Sequence, residues 1–116
     1  MVKEQVFERG DIVLVGFEPA SGHEQQGKRR PALVLSVRPF NQMGMTLVAP
    51  ITQGGNYARY AGFCVPLHCE EGDIQGMVLI NQIRMLDLRA GEARRIGLAA
   101  DEVVEDALLR LQAIVE

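Results

Sequence analysis

The stretch GHEQQGKRRPALVLS, Gly22 to Ser36, changes character halfway, and that change decides how the chain is read. Its first half is polar and glycine-rich. It ends in three consecutive cations, Lys28, Arg29 and Arg30. From Pro31 the side chains turn apolar, and ALVLSV reads as a buried strand that a proline can open, because a missing N–H is tolerated there. Glu18 to Arg30, with Pro19, Gly22 and Gly27, is too polar for a core and reads as a loop of about a dozen residues. Loops of about that length are usually functional or mobile.

Outward from this point the pattern repeats. IVLVGF (Ile12–Phe17) reads as a first strand after the turn Gly10-Asp11. Asn41 to Gly44 is a turn, and MTLVAPI (Met45–Ile51) a third strand. A second polar loop, Thr52 to Gly62, leads to strand four, Phe63–His68. Glu70-Glu71-Gly72-Asp73 reads as an acidic turn, and Gly76–Leu88 as a bent fifth strand or two short ones. The end differs. Val104, Leu108, Leu111 and Val115 fall at i, i+4, i+7 and i+11, one apolar stripe along a helix. Asp101 and Glu102 sit in its first turn, where the helix dipole favours anions. Five or six short strands and one helix predict a small barrel or strongly curled sheet capped by that helix.

Composition agrees. At 116 residues the chain suits one domain, 1–116. Hydrophobic residues make up 47%, enough for a core, while aromatics are only 5%, so aliphatic side chains must fill it. No stretch approaches the roughly 20 apolar residues of a membrane span. The charged N-terminus lacks a signal-peptide core, so the expected compartment is the cytoplasm. Cys64 and Cys69 fit neither a disulfide framework nor, with two distant histidines, a zinc site. On one extended strand they would lie about 17 Å apart and face opposite ways, so both read as thiols. Residues 1–60 carry seven cations against five anions; residues 61–116 carry five against ten. A basic coat for DNA is excluded, and any polyanion contact must be local.

The two polar loops hold the chemistry. The first offers His23, Glu24, Gln25, Lys28, Arg29 and Arg30; the second offers Thr52, Gln53, Asn56, Tyr57, Arg59 and Tyr60. Converging at one end of a curled sheet, they could bind and cleave a phosphodiester without metal. Arginine presents a planar fork to phosphate oxygens. Histidine or glutamate can exchange the proton of an attacking hydroxyl. Backbone N–H groups near Gly54-Gly55 could add an anion nest, and tyrosines can stack on unpaired bases. Plainer uses compete: a surface ion pair for Arg30, a solvated ring for His23, a local turn bond for Thr52.

The ordered segments GDIVLVGFEP, GHEQQG, RRPALVLS, APITQGGNYARYAGF and NQIRMLDL, spread over nearly the whole chain, resemble the MazF/PemK (Kid) toxin family. The resemblance implies a sequence-specific, metal-independent endoribonuclease without cofactor, cutting single-stranded mRNA at an ACA-like or ACY-like triplet. It implies an SH3-like β-barrel with a C-terminal helix, working as a homodimer. The implied partner is a MazE/ChpS-like antitoxin with an acidic tail that lies in the RNA groove, DNA being reached only through that antitoxin. Residue by residue, Arg30 matches the family's arginine before proline, at the scissile phosphate. Thr52 matches the hydroxyl after strand three. His23 matches the histidine of the GHEQQG loop in the PemK branch, Glu24 an acid–base candidate of the MazF branch, and Gln82 the glutamine of the fifth-strand pair. Asn81 stands where the PemK branch has an aspartate, and Leu79 where it has an arginine, so proton transfer would fall to His23 or Glu24. A non-catalytic SH3-like module binding RNA or an acidic peptide is the rival; a gyrase poison of the same fold is a third.

Overall fold

The structure is a computed structural model and describes residues 5–16, 29–54 and 62–116. Eight strands and two helices follow in order: β1 Asp11–Gly16, β2 Arg29–Val34, the single-turn α1 Arg38–Asn41, β3 Thr46–Thr52, β4 Cys64–Pro66, β5 Cys69–Glu71, β6 Met77–Leu79, β7 Arg84–Leu86, β8 Arg94–Ala99 and α2 Asp101–Val115. A 3₁₀ turn, Ile80–Gln82, separates β6 from β7. The strands form one antiparallel sheet ordered β4-β6-β3-β2-β1-β8-β5, with β7 also on β3. The expected class, mostly β with a C-terminal helix, is what the chain adopts, as a curled half-barrel with β4 and β5 at its ends.

β3 is the long central strand and serves two partners. Its C-terminal end pairs with β6 (Ile51 with Val78, Thr52 with Met77), and its N-terminal end with β7 (Val48 with Arg84, Thr46 with Leu86). An unbroken β6 ladder would have brought residue 81, not Arg84, opposite Val48. The 3₁₀ turn absorbs that three-residue offset. The apolar run from Gly76 to Leu88 is thus two short strands, one of the two expected forms.

Alternation along β1, β2 and β3 divides the interior. Ile12, Leu33, Leu35, Ala49 and Ile51 face the helix, packing with Val103 and Ala107 of α2. Val13, Val15, Ala32, Val34 and Val48 face the other way, against Phe7 and Leu88. The expected helix stripe is rotated: the deepest α2 residues are Val103 and Ala107, flanked by Val104, Leu108 and Leu111, while Val115 is 71% exposed. Small Ala107 lets the helix approach the sheet, so the helix axis lies nearer the sheet than a leucine stripe would place it.

Three other expectations are corrected. Arg29 and Arg30 belong to β2 rather than to the preceding loop, and Pro31 lies inside the strand, opposite Leu14. Pro50 lies on β3, as expected, and pairs with Ala32. Residues 38–41 form a helical turn; buried Asn41 braces it, donating to the Phe7 and Ser36 carbonyls. Cys69 and both glutamates of the acidic turn belong to β5, an edge strand whose charges face water, as edges commonly do. Cys64 and Cys69 are therefore on different strands, both unoxidised. Burial pushes the Cys69 thiol above its ordinary pKa.

β8, RRIGLA, was not legible as a strand. Its centre is Gly97, where a methyl would meet the Glu71 carbonyl at 2.8 Å and Ile74 Cδ1 at 2.9 Å. Close approach of β5 thus demands the residue that weakens the strand signal. β8 also bulges against β1, where Ile12 pairs with Gly97 but Val13 with Arg95. Such a bulge bends the strand and helps the sheet curl.

The end of the sheet opposite Arg30 is stitched by charge. Gly10 takes φ +98°, turning the chain into β1. Buried Asp11 accepts from the Glu8 N–H at 2.8 Å and from Arg95 Nε at 2.9 Å, and Arg95 Nη2 reaches Glu71 at 3.0 Å. These bonds, first with Asp11 and then Glu71, hold the Arg95 guanidinium's pKa above its ordinary value. One side chain so ties β8 to β1 and β5. Arg95→Ala should lower unfolding free energy by roughly 1–2 kcal/mol, because Asp11 keeps its burial and loses its cation; urea denaturation checks this, and a change within error would show the bridge to be decorative.

Candidate functional site

β2 places two arginines at its first two positions, and the strand's alternation separates them. Arg30 pairs with Val15, on the face of Val13, Ala32 and Val34. It is exposed, and it forms no hydrogen bond or ion pair with any other described residue. Arg29 pairs with Gly16 and is fully engaged: Nη1 donates to the carbonyls of Glu92 (2.9 Å) and Gly91 (3.4 Å), and Nη2 to Glu92 Oε1 (3.3 Å).

The β2–β3 register brings Thr52 to Arg30. Val34 pairs with Val48, Leu33 with Ala49 and Ala32 with Pro50. The pairing ends there. Arg30 and Thr52 each lie two residues beyond that last pair, and alternation puts them on the same face of β2 and β3. The Thr52 hydroxyl donates to the Gly54 carbonyl at 3.1 Å, the local bond a strand-end threonine commonly makes. It keeps its acceptor capacity.

Two contacts fix this strand end. Gln53 Nε2 donates to the Gln75 carbonyl at 3.0 Å. Gly76, at φ +146°, lies against Thr52 so closely that a methyl there would run into the Thr52 carbonyl and meet Ile51 Cγ2 at 2.9 Å. Sequence reading gave Gly76 no role, because a glycine before a strand reads as ordinary punctuation; only the partner strand reveals the close approach.

Asn81 and Gln82 are exposed on the 3₁₀ turn. Arg29, Arg30, Thr52 and Gln53 are thus held at neighbouring strand ends. His23, Glu24, Gln25, Lys28, Asn56, Tyr57, Arg59 and Tyr60 lie outside the described residues, as do most of the two polar loops. Among the described residues no three His, Cys, Asp or Glu side chains gather as metal ligands, and no helix is long and apolar enough to cross a membrane.

A curled half-barrel with a C-terminal helix is the fold of a toxin family. Residues 8–115 match the model of the PemK-like, MazF-like toxin of type II toxin–antitoxin systems, and the chain belongs to that family. It is 80% identical over all 116 residues, the full length of both chains, to the endoribonuclease toxin ChpB of Escherichia coli K12. The crystal structure of MazF from Deinococcus radiodurans superposes with a TM-score of 0.79 at 33% identity, covering 97% of this chain and 98% of that one. A MazE–MazF structure from the same organism gives 0.79 at 29% identity, covering 96% and 97%. The chain is an endoribonuclease toxin of the type II toxin–antitoxin class.

Gly76→Ala should disturb the Thr52 end of β3. Overpacking of this kind costs about 1–3 kcal/mol, and the positive φ adds to it. Thermal denaturation should show the loss, and a variant as stable as the parent would mean that the strand end yields freely.

Proposed function

We propose that this toxin cuts single-stranded RNA, chiefly mRNA, at a short sequence around a phosphate held by Arg30. The observation that carries the reading is the placement of Arg30: solvent-facing at the end of β2, beside the strand that ends in Thr52, with no carboxylate among the described residues taking up its charge. A guanidinium so placed can bind a phosphate and offset the charge that builds on it.

RNA supplies its own nucleophile. The ribose 2′-oxygen forms a bond to phosphorus as the bond from phosphorus to the 5′-oxygen breaks. The 2′-hydroxyl proton leaves to a base, and the departing 5′-oxygen receives one from an acid. His23 and Glu24 are the proton-transfer candidates. Arg30 stabilises the phosphorane, and Thr52 positions a non-bridging oxygen. The products are a 2′,3′-cyclic phosphate and a 5′-hydroxyl. No step requires a metal. Bases on either side are read by Asn56, Tyr57, Arg59 and Tyr60, with Gln25, Lys28, Gln53, Asn81 and Gln82 lining the path. Unpaired bases can be stacked and read at their edges in this way.

The chain acts in the cytoplasm as a single domain and as a homodimer. Its antitoxin lays an acidic segment along the same groove. The similarity to a MazE–MazF complex supports this, as does a cationic site on a protein of net charge −3.

Arg30→Ala should abolish cleavage of a labelled RNA in EDTA while leaving the melting curve unchanged. Donors of this kind are worth about 3–4 kcal/mol of barrier, a loss of some hundred- to thousand-fold. Near-normal cleavage by that variant would remove Arg30 from the site, and a requirement for added metal would overturn the metal-free mechanism. His23→Ala and Glu24→Ala should separate base from acid in their pH–rate profiles, at least one slowing cleavage by about tenfold or more. If neither does, both assignments fail.

A further inference from the structure

Arg29 stands beside the proposed catalytic arginine, yet its guanidinium is turned away to a different task. It reaches from β2, where Arg29 pairs with Gly16 of β1, to the turn that precedes β8. That turn is braced from within. Asp87 Oδ1 accepts from the N–H groups of Arg89 and Ala90, both at 3.1 Å. Gly91, Glu92 and Ala93 donate in turn to the carbonyls of Asp87, Arg89 and Leu88. Gly91 is packed against β1, where a methyl would meet Val15 Cγ2 at 3.1 Å. Glu92 holds φ +55°, a backbone state rare for a residue with a side chain, and the turn keeps it there.

We propose that Arg29 and Glu92 are positioning residues for the cleavage site: a rigid turn grips Arg29 and so fixes the first residues of β2, which aims Arg30. The ion pair alone does not explain the arrangement, since its side chains are 41% and 80% exposed and such pairs contribute little. The geometry does: one guanidinium meets two carbonyls and a carboxylate of consecutive residues. Glu92 also pairs with the cation directly next to Arg30, leaving Arg30 as the charge that β2 presents to RNA. Sequence reading placed Arg29 among the RNA contacts; its partners support a structural use of the same charge. The inference rests on Arg30 holding the scissile phosphate.

Glu92→Gln separates the two uses because they give opposite signs. If Arg29 is held for positioning, removing the charge weakens one of its three contacts and loosens the grip that the two carbonyls share. The turnover number kcat should then fall several-fold or more, since small misplacements of catalytic groups cost up to about a hundredfold. KM, and affinity for an uncleavable 2′-deoxy oligonucleotide, should stay within about twofold, with an unchanged salt dependence. If Arg29 instead contacts phosphate, the variant should bind more tightly with kcat intact, which would overturn the proposal. Glu92→Gly, whose residue suits φ +55°, serves as the second variant should the amide distort the turn, and should show the same fall in kcat. Arg29→Gln should likewise lower kcat with little change in KM; a raised KM, with a salt slope shallower by about one, would mark a phosphate contact and overturn it. Amide hydrogen exchange at Val15, Gly16 and Arg30 gives a readout independent of catalysis. It should quicken in Glu92→Gln even if the parent protein cleaves no RNA, and unaltered exchange sinks the clamp whatever the fate of the site.

Discussion

The register of β2 between β1 and β3 is the constraint on which the rest depends. Strand side chains alternate, so a slip by one residue would exchange the two faces. Leu33 would leave the helix-side core, Ala32 and Val34 would leave the opposite one, and Arg29 and Arg30 would trade places. Both faces of β2 are buried beyond Pro31, and that double burial is what forbids the slip. The hydrophobic effect acts here on three aliphatic residues and decides which of two adjacent arginines meets solvent on the functional side. The placement of the two arginines is in that sense a by-product of core packing.

The remaining fold divides its work between two ends. Near Glu8, Asp11, Glu71 and Arg95, charge and hydrogen bonds stitch three strands, and nothing there requires motion. Near Arg30 and Thr52 the chain relies on close backbone approaches, Gly76 under Thr52 and Gly91 against Val15. There Arg29 and Gln53 add side-chain bonds of their own.

Much of this was legible in the amino-acid order, and the failures have physical reasons. The strands β1 and β3, the break between β6 and β7 and the final helix stand out because their apolar residues follow one period over several positions. β8 was missed because its curvature and its contact with β5 need Gly97, and its first residues are exposed arginines. β5 was hidden because an edge strand can be acidic, so its composition imitates a turn. The helix stripe was read one position off because leucine draws the eye, whereas Ala107 allows the close packing. At the site, Arg30 could be picked out through the proline that follows it. The separate employment of Arg29 could not, because its partners lie some sixty residues away in sequence and two of them are backbone carbonyls, which carry no residue identity at all.

Pro31 and Pro50 lie on adjacent strands, each within two residues of Arg30 or Thr52. Each removes an amide donor from the central sheet. Leu35 N–H donates to the Leu47 carbonyl, so alternation turns Pro31 toward β3 and Pro50 away from β2. Pro31 takes one bond from the β2–β3 ladder at this rim, and Pro50 takes one from the far side of β3. The β2–β3 pair is therefore held by fewer backbone bonds at its rim than along the aliphatic stretch from Ala32 to Val34.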